Sequence, residues 1–146
     1  MAKEIERTFL VDDDSFKDMA VLTVHILQGY LNRDPERTVR VRILNDSAFL
    51  TVKGKTRGCV RDEFEYEVPL EDGLQMMELC DGKIINKTRY IVPFEGFTWE
   101  VDEYHGELEG LVVTEVEMEH PEADIKFPPF VGKEVTGDPK YYNSQL

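Results

Sequence analysis

Cysteine is scarce. Cys59 and Cys80 are the only two in 146 residues, and they form neither a disulfide framework nor a CxxC metal pair. The three histidines, His25, His105 and His120, share no metal-ligand spacing. No Walker A loop, GxGxxG turn or HExxH helix occurs, so the motif-borne nucleotide, dinucleotide and zinc-protease chemistries have no carrier. Long apolar runs are missing too. The most nearly apolar stretch, residues 20–27, is far shorter than the roughly 20 residues a membrane helix needs. The N-terminus carries no apolar signal core, and the expected compartment is cytoplasmic. Positive charge is also in short supply: 17 Lys and Arg against 30 Asp and Glu, a net of −13. Such a surface repels nucleic acid and anionic membranes, whose binding rests largely on Lys and Arg neutralising phosphate.

What is present suits a globular chain: 41% hydrophobic and 10% aromatic residues. There is no repeat and no low-complexity linker, and the expectation is a single domain over 1–146. The dominant local signal is period-2 alternation, the mark of strands with two different faces. It recurs at 3–11, 22–31, 38–44, 48–54, 62–68, 84–92, 97–104 and 111–119. Turn residues such as Asn45-Asp46 and Glu95-Gly96 separate these segments. Short helices are expected at 16–20 and 72–79, with a further turn from Pro121. About eight antiparallel strands leave two architectures, a two-sheet sandwich or a closed barrel.

The chemistry of the faces bears on that choice. Residues i and i+2 of a strand point the same way. Arg40 and Arg42 share a face, as do Lys87 and Arg89. Glu4 pairs with Glu6, Glu63 with Glu65, Glu100 with Asp102, and Glu115 with Glu117. Taken singly, each is an ordinary solvated face on a half-buried sheet. As a set, the charges sort by strand, which suits a closed sheet with an ionic lining. Buried charges need partners. A divalent cation such as Mg²⁺ serves carboxylates, and an anion serves Arg and Lys, with Arg fitting phosphate oxygens as a bidentate fork. Together they describe a metal–polyphosphate site.

The opening Glu4-Ile5-Glu6-Arg7-Thr8 resembles the ExExK signature of the CYTH superfamily, the triphosphate tunnel metalloenzymes. The likeness continues through Gln28-Gly29-Tyr30-Leu31, Arg40-x-Arg42, Thr51-Val52-Lys53, Glu63 to Glu67 and Lys87-Thr88-Arg89-Tyr90. It then runs through Glu100-Val101-Asp102, Glu115-Val116-Glu117 and Gly132 to Thr136, essentially the whole chain in order. The short length is most similar to the compact bacterial branch. The resemblance implies a mainly β (α+β) fold, a closed eight-stranded antiparallel β-barrel tunnel open at both ends, with a few short flanking helices. It implies Mg²⁺ or Mn²⁺ held by Glu4, Glu6, Asp102, Glu115 and Glu117. A small polyanionic substrate would meet Arg40, Arg42, Lys53, Lys87, Arg89 and Lys133. Lys87, Glu65 and position 8 are implied nearest the chemistry, with Glu63 lining the tunnel.

The expected activity is metal-dependent hydrolysis of a linear triphosphate, foremost inorganic tripolyphosphate to pyrophosphate and phosphate. One departure matters: Thr8 stands where the motif has Lys. A hydroxyl replaces a cation, so the alternative is a polyphosphate or nucleotide triphosphate binding module with negligible turnover. Lys53, Lys55, Lys83 and Lys87 are the lysines that could fill the gap. Thiamine triphosphatase or class IV-type adenylate cyclase activity is a weaker alternative. No nucleic-acid or membrane partner is expected, and a homodimer is left open. The histidines, Trp99, Met76-Met77 and Cys59 are read as packing or turn residues, and Tyr30 as packing or tunnel mouth.

Overall fold

The computed structural model describes residues 2–146. Nine strands form one antiparallel sheet: β1 (Lys3–Val11), β2 (Leu22–Asn32), β3 (Arg37–Leu44), β4 (Ser47–Gly54), β5 (Val60–Val68), β6 (Asp81–Phe94), β7 (Phe97–Tyr104), β8 (Val112–Glu117) and β9 (Val131–Glu134). Two short helices lie outside it, α1 (Phe16–Met19) and α2 (Leu70–Leu79). The order is β5-β4-β3-β2-β6-β7-β8-β1-β9, and β5 also pairs with β1, which closes eight strands into a barrel. The sandwich alternative is thereby excluded. Among the described residues, no helix is long and apolar enough to cross a membrane.

The closing seam is short, and one edge of β1 is divided. Lys3, Glu4 and Ile5 pair with β5, whereas Phe9 and Val11 pair with β9. Between them, the Glu6 amide donates to the Cys59 carbonyl at 3.0 Å. The β6–β7 hairpin turns through Glu95 and Gly96, with φ of 49° and 82°. Two consecutive positive φ values match the right-handed strand twist, and the glycine takes its value without steric cost.

Alternation gives the wall an apolar outside and a charged inside. Phe9, Val92, Trp99, Val101 and Val116 point outward and pack with Phe16 of α1 and Phe130 of the segment leading to β9. On the other side, α2 lies against β3 and β4. A second cluster is inside: Tyr30, Ile85, Tyr104 and Val113, with Leu146 against them. It lies toward one end of the lumen, and the tail containing the 3₁₀ turns Pro139–Tyr141 and Asn143–Gln145 lines the adjoining cavity. The inward faces thus turn apolar at this end.

Several boundaries differ from those expected. β6 is longer than 84–92, β8 stops at Glu117, and α2 starts at Leu70. The turn expected from Pro121 is present at 121–122. At Gly73, a Cβ would collide with Ala48 Cβ and come within 3.2 Å of Ile43 Cδ1. Gly73→Ala should therefore lower stability by about 1–3 kcal/mol, although alanine is the better helix former. Urea unfolding checks this, and a gain in stability would show that α2 is free to shift off the wall.

Candidate active site

Strand order divides the lumen by charge. The inward faces of β4, β3 and β6 bring Lys53, Arg40, Arg42, Lys87 and Arg89 to one side of β2 and the other. The remaining arc, β7-β8-β1-β5, brings Glu100, Asp102, Glu115, Glu117, Glu4, Glu6, Glu63 and Glu65. Between the arcs is a cavity of about 190 Å³ lined by eleven charged side chains and Asn143.

On the basic side, Asp102 is the anchor. It accepts from Arg89 Nε at 2.8 Å and Nη2 at 2.9 Å, and from Lys87 Nζ at 2.8 Å. Burial alone would raise its pKa, but Arg89 and Lys87 outweigh it and hold the carboxyl far below the usual range. Burial pushes the Lys87 ammonium down to about 8 against the pull of Asp102, with Arg89 and Arg42 adding to the fall. Asp102 was expected among the metal ligands; the structure gives its oxygens to Arg89 and Lys87 instead. Lys87 itself is fully buried and does not line the cavity.

Arg40 and Arg42 are less compensated. Arg40 Nη2 reaches Thr51 Oγ1 and Glu65 Oε2, both at 3.2 Å, while its Nε is buried with no partner among the described residues. Arg42 Nε donates only to Gln28 Oε1 at 3.3 Å. Burial, then Arg40 and Arg89, lower the Arg42 pKa to about 10. Two buried guanidiniums, one held by Gln28 alone and the other by Thr51 and Glu65, are a ready receptor for an anion.

The acidic arc is strained in the opposite sense. Burial pushes the Glu6 carboxyl well above its ordinary value, and Glu115 and Glu4 add repulsion. Burial also raises Glu4, although Lys53 Nζ lies 3.1 and 3.2 Å from its oxygens. In Glu115, burial is outweighed by its hydrogen bond with Glu6 and the charge of Arg89. Glu117 is raised by burial and Glu63. Among the described residues no three His, Cys, Asp or Glu side chains already form a ligating cluster. The donor chemistry of Glu4, Glu6, Glu115 and Glu117 nonetheless fits a hard divalent cation, which takes oxygen ligands and would relieve their repulsion.

Thr8 lies opposite Glu115 in the β1–β8 register, on the face of Glu4 and Glu6. It lines a side cavity of about 80 Å³ that Cys59, Tyr141 and Tyr142 also line. Of the four lysines considered for its missing charge, Lys53 lines this cavity, bound to Glu4 and to Glu63 at 3.3 Å. Lys55 pairs with exposed Glu36, Lys83 is exposed, and Lys87 is sealed behind Asp102. Lys133 stands exposed on β9, outside the closed barrel and away from both cavities; its strand joins the edge of β1, not the wall. Two lining residues escaped the sequence-level site. Glu100, 3.4 Å from Arg89 Nη1, was signalled by alternation with Asp102, whereas Asn143 in the tail carried no signal.

Two outcomes test this electrostatic picture. Asp102→Asn leaves two buried cations short of a counter-ion and should cost about 3–5 kcal/mol in denaturant unfolding. Stability from Glu6, Glu4 and Glu100, whose carboxyls bind protons more tightly folded than unfolded, is complete below their ordinary value of 4.5 and is lost as pH rises through their raised values. Without divalent cation at about pH 7.5, Glu6→Gln should therefore melt above wild type and gain less from added Mg²⁺. A lower Tm for the variant would contradict the repulsion assigned to Glu6.

The match to known proteins spans nearly the whole chain. The CYTH domain matches residues 2–142. An inorganic triphosphatase of Acetivibrio thermocellus is 48% identical over 147 residues, covering 100% of this chain and 94% of that protein. One from Nitrosomonas europaea is 33% identical over 147 residues, covering 98% and 95%. A crystal structure of an inorganic triphosphatase superposes with a TM-score of 0.69 at 31% identity, covering 97% of this chain and 95% of that one. With the barrel, its charged lumen and this agreement in sequence, the chain belongs to the CYTH domain family.

Proposed function

We propose that this protein is a triphosphatase that hydrolyses inorganic tripolyphosphate to pyrophosphate and phosphate with Mg²⁺ or Mn²⁺, and that residues 1–146 act as one tunnel domain. The observation that carries the reading is the pair of buried, under-compensated guanidiniums, Arg40 and Arg42, facing repelling carboxylates across one cavity. The relatives named inorganic triphosphatase support the substrate class.

Arg40 and Arg42 bind phosphate oxygens, and Arg89 adds the Nη edge that it turns from Asp102 toward Glu100 and Glu115. Glu65 acts as a positioning residue, holding Arg40 directly and through Thr51, whose hydroxyl donates to Glu65 Oε2 at 3.0 Å. Lys87 works at one remove, setting Asp102 and hence the Arg89 fork. A divalent cation held by Glu4, Glu6, Glu115 and Glu117 would neutralise phosphate oxygens and orient the chain along the acidic arc. Water attacks the terminal phosphorus, the bond to the bridging oxygen breaks, and pyrophosphate leaves. Fixed cations aimed at the spread negative charge supply most of the acceleration in such transfers.

The second reading, a binding module, rests on Thr8 and separates cleanly. Purified protein with Mg²⁺ or Mn²⁺ should release phosphate from tripolyphosphate, Thr8→Lys should change the rate, and Arg42→Gln should lower kcat/KM by roughly a hundredfold or more. Tight binding without turnover in wild type, with turnover restored in Thr8→Lys, would replace the enzyme with the binding module.

A further inference from the structure

Of the C-terminal tail, Asn143 is the residue that lines the central cavity. Asn143 lines both the central cavity and the side cavity at Thr8. Its Oδ1 accepts from Lys87 Nζ at 3.3 Å and from Tyr104 Oη at 2.5 Å. A lysine ammonium donates only, so the carboxamide must turn its oxygen toward Lys87. Its Nδ2 then faces the other way and makes no hydrogen bond among the described residues. The backbone beneath is fixed: Arg33 Nη1 donates to the Ser144 carbonyl, and Gln145 Nε2 donates to the Arg33 carbonyl, both at 2.9 Å.

We propose that Asn143 is a substrate-binding residue, its amide Nδ2 held by Lys87 and Tyr104 to donate to a phosphate oxygen of the bound polyphosphate. The inference rests on the triphosphate reading of the lumen. It gives Lys87, which does not line the cavity, a route to the substrate: the ammonium orients and polarises the carboxamide. It also puts a neutral donor on the cavity that Thr8 lines, where the motif's cation is missing. Donors to charged oxygens are the stronger class of hydrogen bond, so one such contact is worth a measurable share of affinity.

Asn143→Asp separates this role from a structural one. The carboxylate still accepts from Lys87 and Tyr104, so the tail stays in place, but the donor is gone and negative charge faces the phosphate. Titration calorimetry with tripolyphosphate and Mg²⁺ should show affinity weakened roughly tenfold to hundredfold, with Tm at or above that of wild type. In turnover, KM should rise more than kcat falls. Tyr104→Phe removes one of the two donors that hold the carboxamide and should weaken binding a few-fold. An Asn143→Asp variant that binds tripolyphosphate within about twofold of wild type overturns the proposal. If Asn143→Asp does not fold, unchanged affinity in Tyr104→Phe overturns it instead. Wild type that binds tripolyphosphate without hydrolysing it removes the triphosphatase reading and leaves Asn143 to be decided by these affinities. Wild type that does not bind tripolyphosphate removes both.

Discussion

Lys87 and Arg89 lie within the barrel on adjacent inward positions of one strand, and the fold tolerates them because Asp102 answers both. A buried cation without a counter-ion costs several kcal/mol, a large share of a typical domain's stability of about 5–15 kcal/mol. Three charge-assisted hydrogen bonds to one carboxylate meet that cost and fix the guanidinium plane of Arg89. The register that does so is the β6–β7 pairing, in which Arg89 faces Asp102 across the ladder. A slip of one residue along β7 would turn Glu100 and Asp102 outward and Trp99 and Val101 into the lumen. Register, core and site are therefore one constraint.

Compensation is unequal around the lumen. Arg89 and Lys87 are satisfied internally, while Arg42 meets a neutral amide and Arg40 keeps an unpartnered Nε. Across the cavity, Glu6 is held among other carboxylates with its proton affinity raised. The arcs meet directly where Asp102 answers Arg89 and Lys87, where Glu65 reaches Arg40, and where Lys53 reaches Glu4 and Glu63, whereas Glu6 and Arg42 make no ion pair among the described residues. A polyanion with a divalent cation completes both sides at once, which links the protein's stability to its ligand state. The net charge of −13 belongs to this design in part, since several of those carboxylates line the site rather than coat the surface.

The packing that supports the lumen is outside it. Phe9, Trp99, Val101 and Val116 form the wall's outer face, closed over by Phe16 and Phe130. The usual arrangement of an apolar interior is thus inverted, and the hydrophobic effect acts on the barrel's exterior through its covering segments. The interior turns apolar only at one end, where Tyr30, Ile85, Tyr104 and Val113 meet the tail. Tyr30, read from sequence as packing or tunnel mouth, packs in this cluster and borders the side cavity.

Alternation along each strand was readable in the sequence, because a period of two depends only on the residues of that strand. It separated Arg40 and Arg42 from Val39 and Val41, and Glu115 and Glu117 from Val116. The eight-strand count and the family likeness also came from the chain's own order of motifs. Partner choice did not. That Asp102 is committed to Arg89 and Lys87, that Lys87 is sealed from the cavity, and that Lys133 stands outside the barrel depend on which strands lie side by side and how far each side chain reaches. Asn143 shows the limit most plainly. Its tail has no periodicity, and it is held at the lumen by residues distant in the chain, Arg33 on the Ser144 backbone and Lys87 and Tyr104 on its own side chain. Local pattern determined which faces are charged; closure of the sheet decided which charges meet, because contacts distant in sequence are set by topology alone.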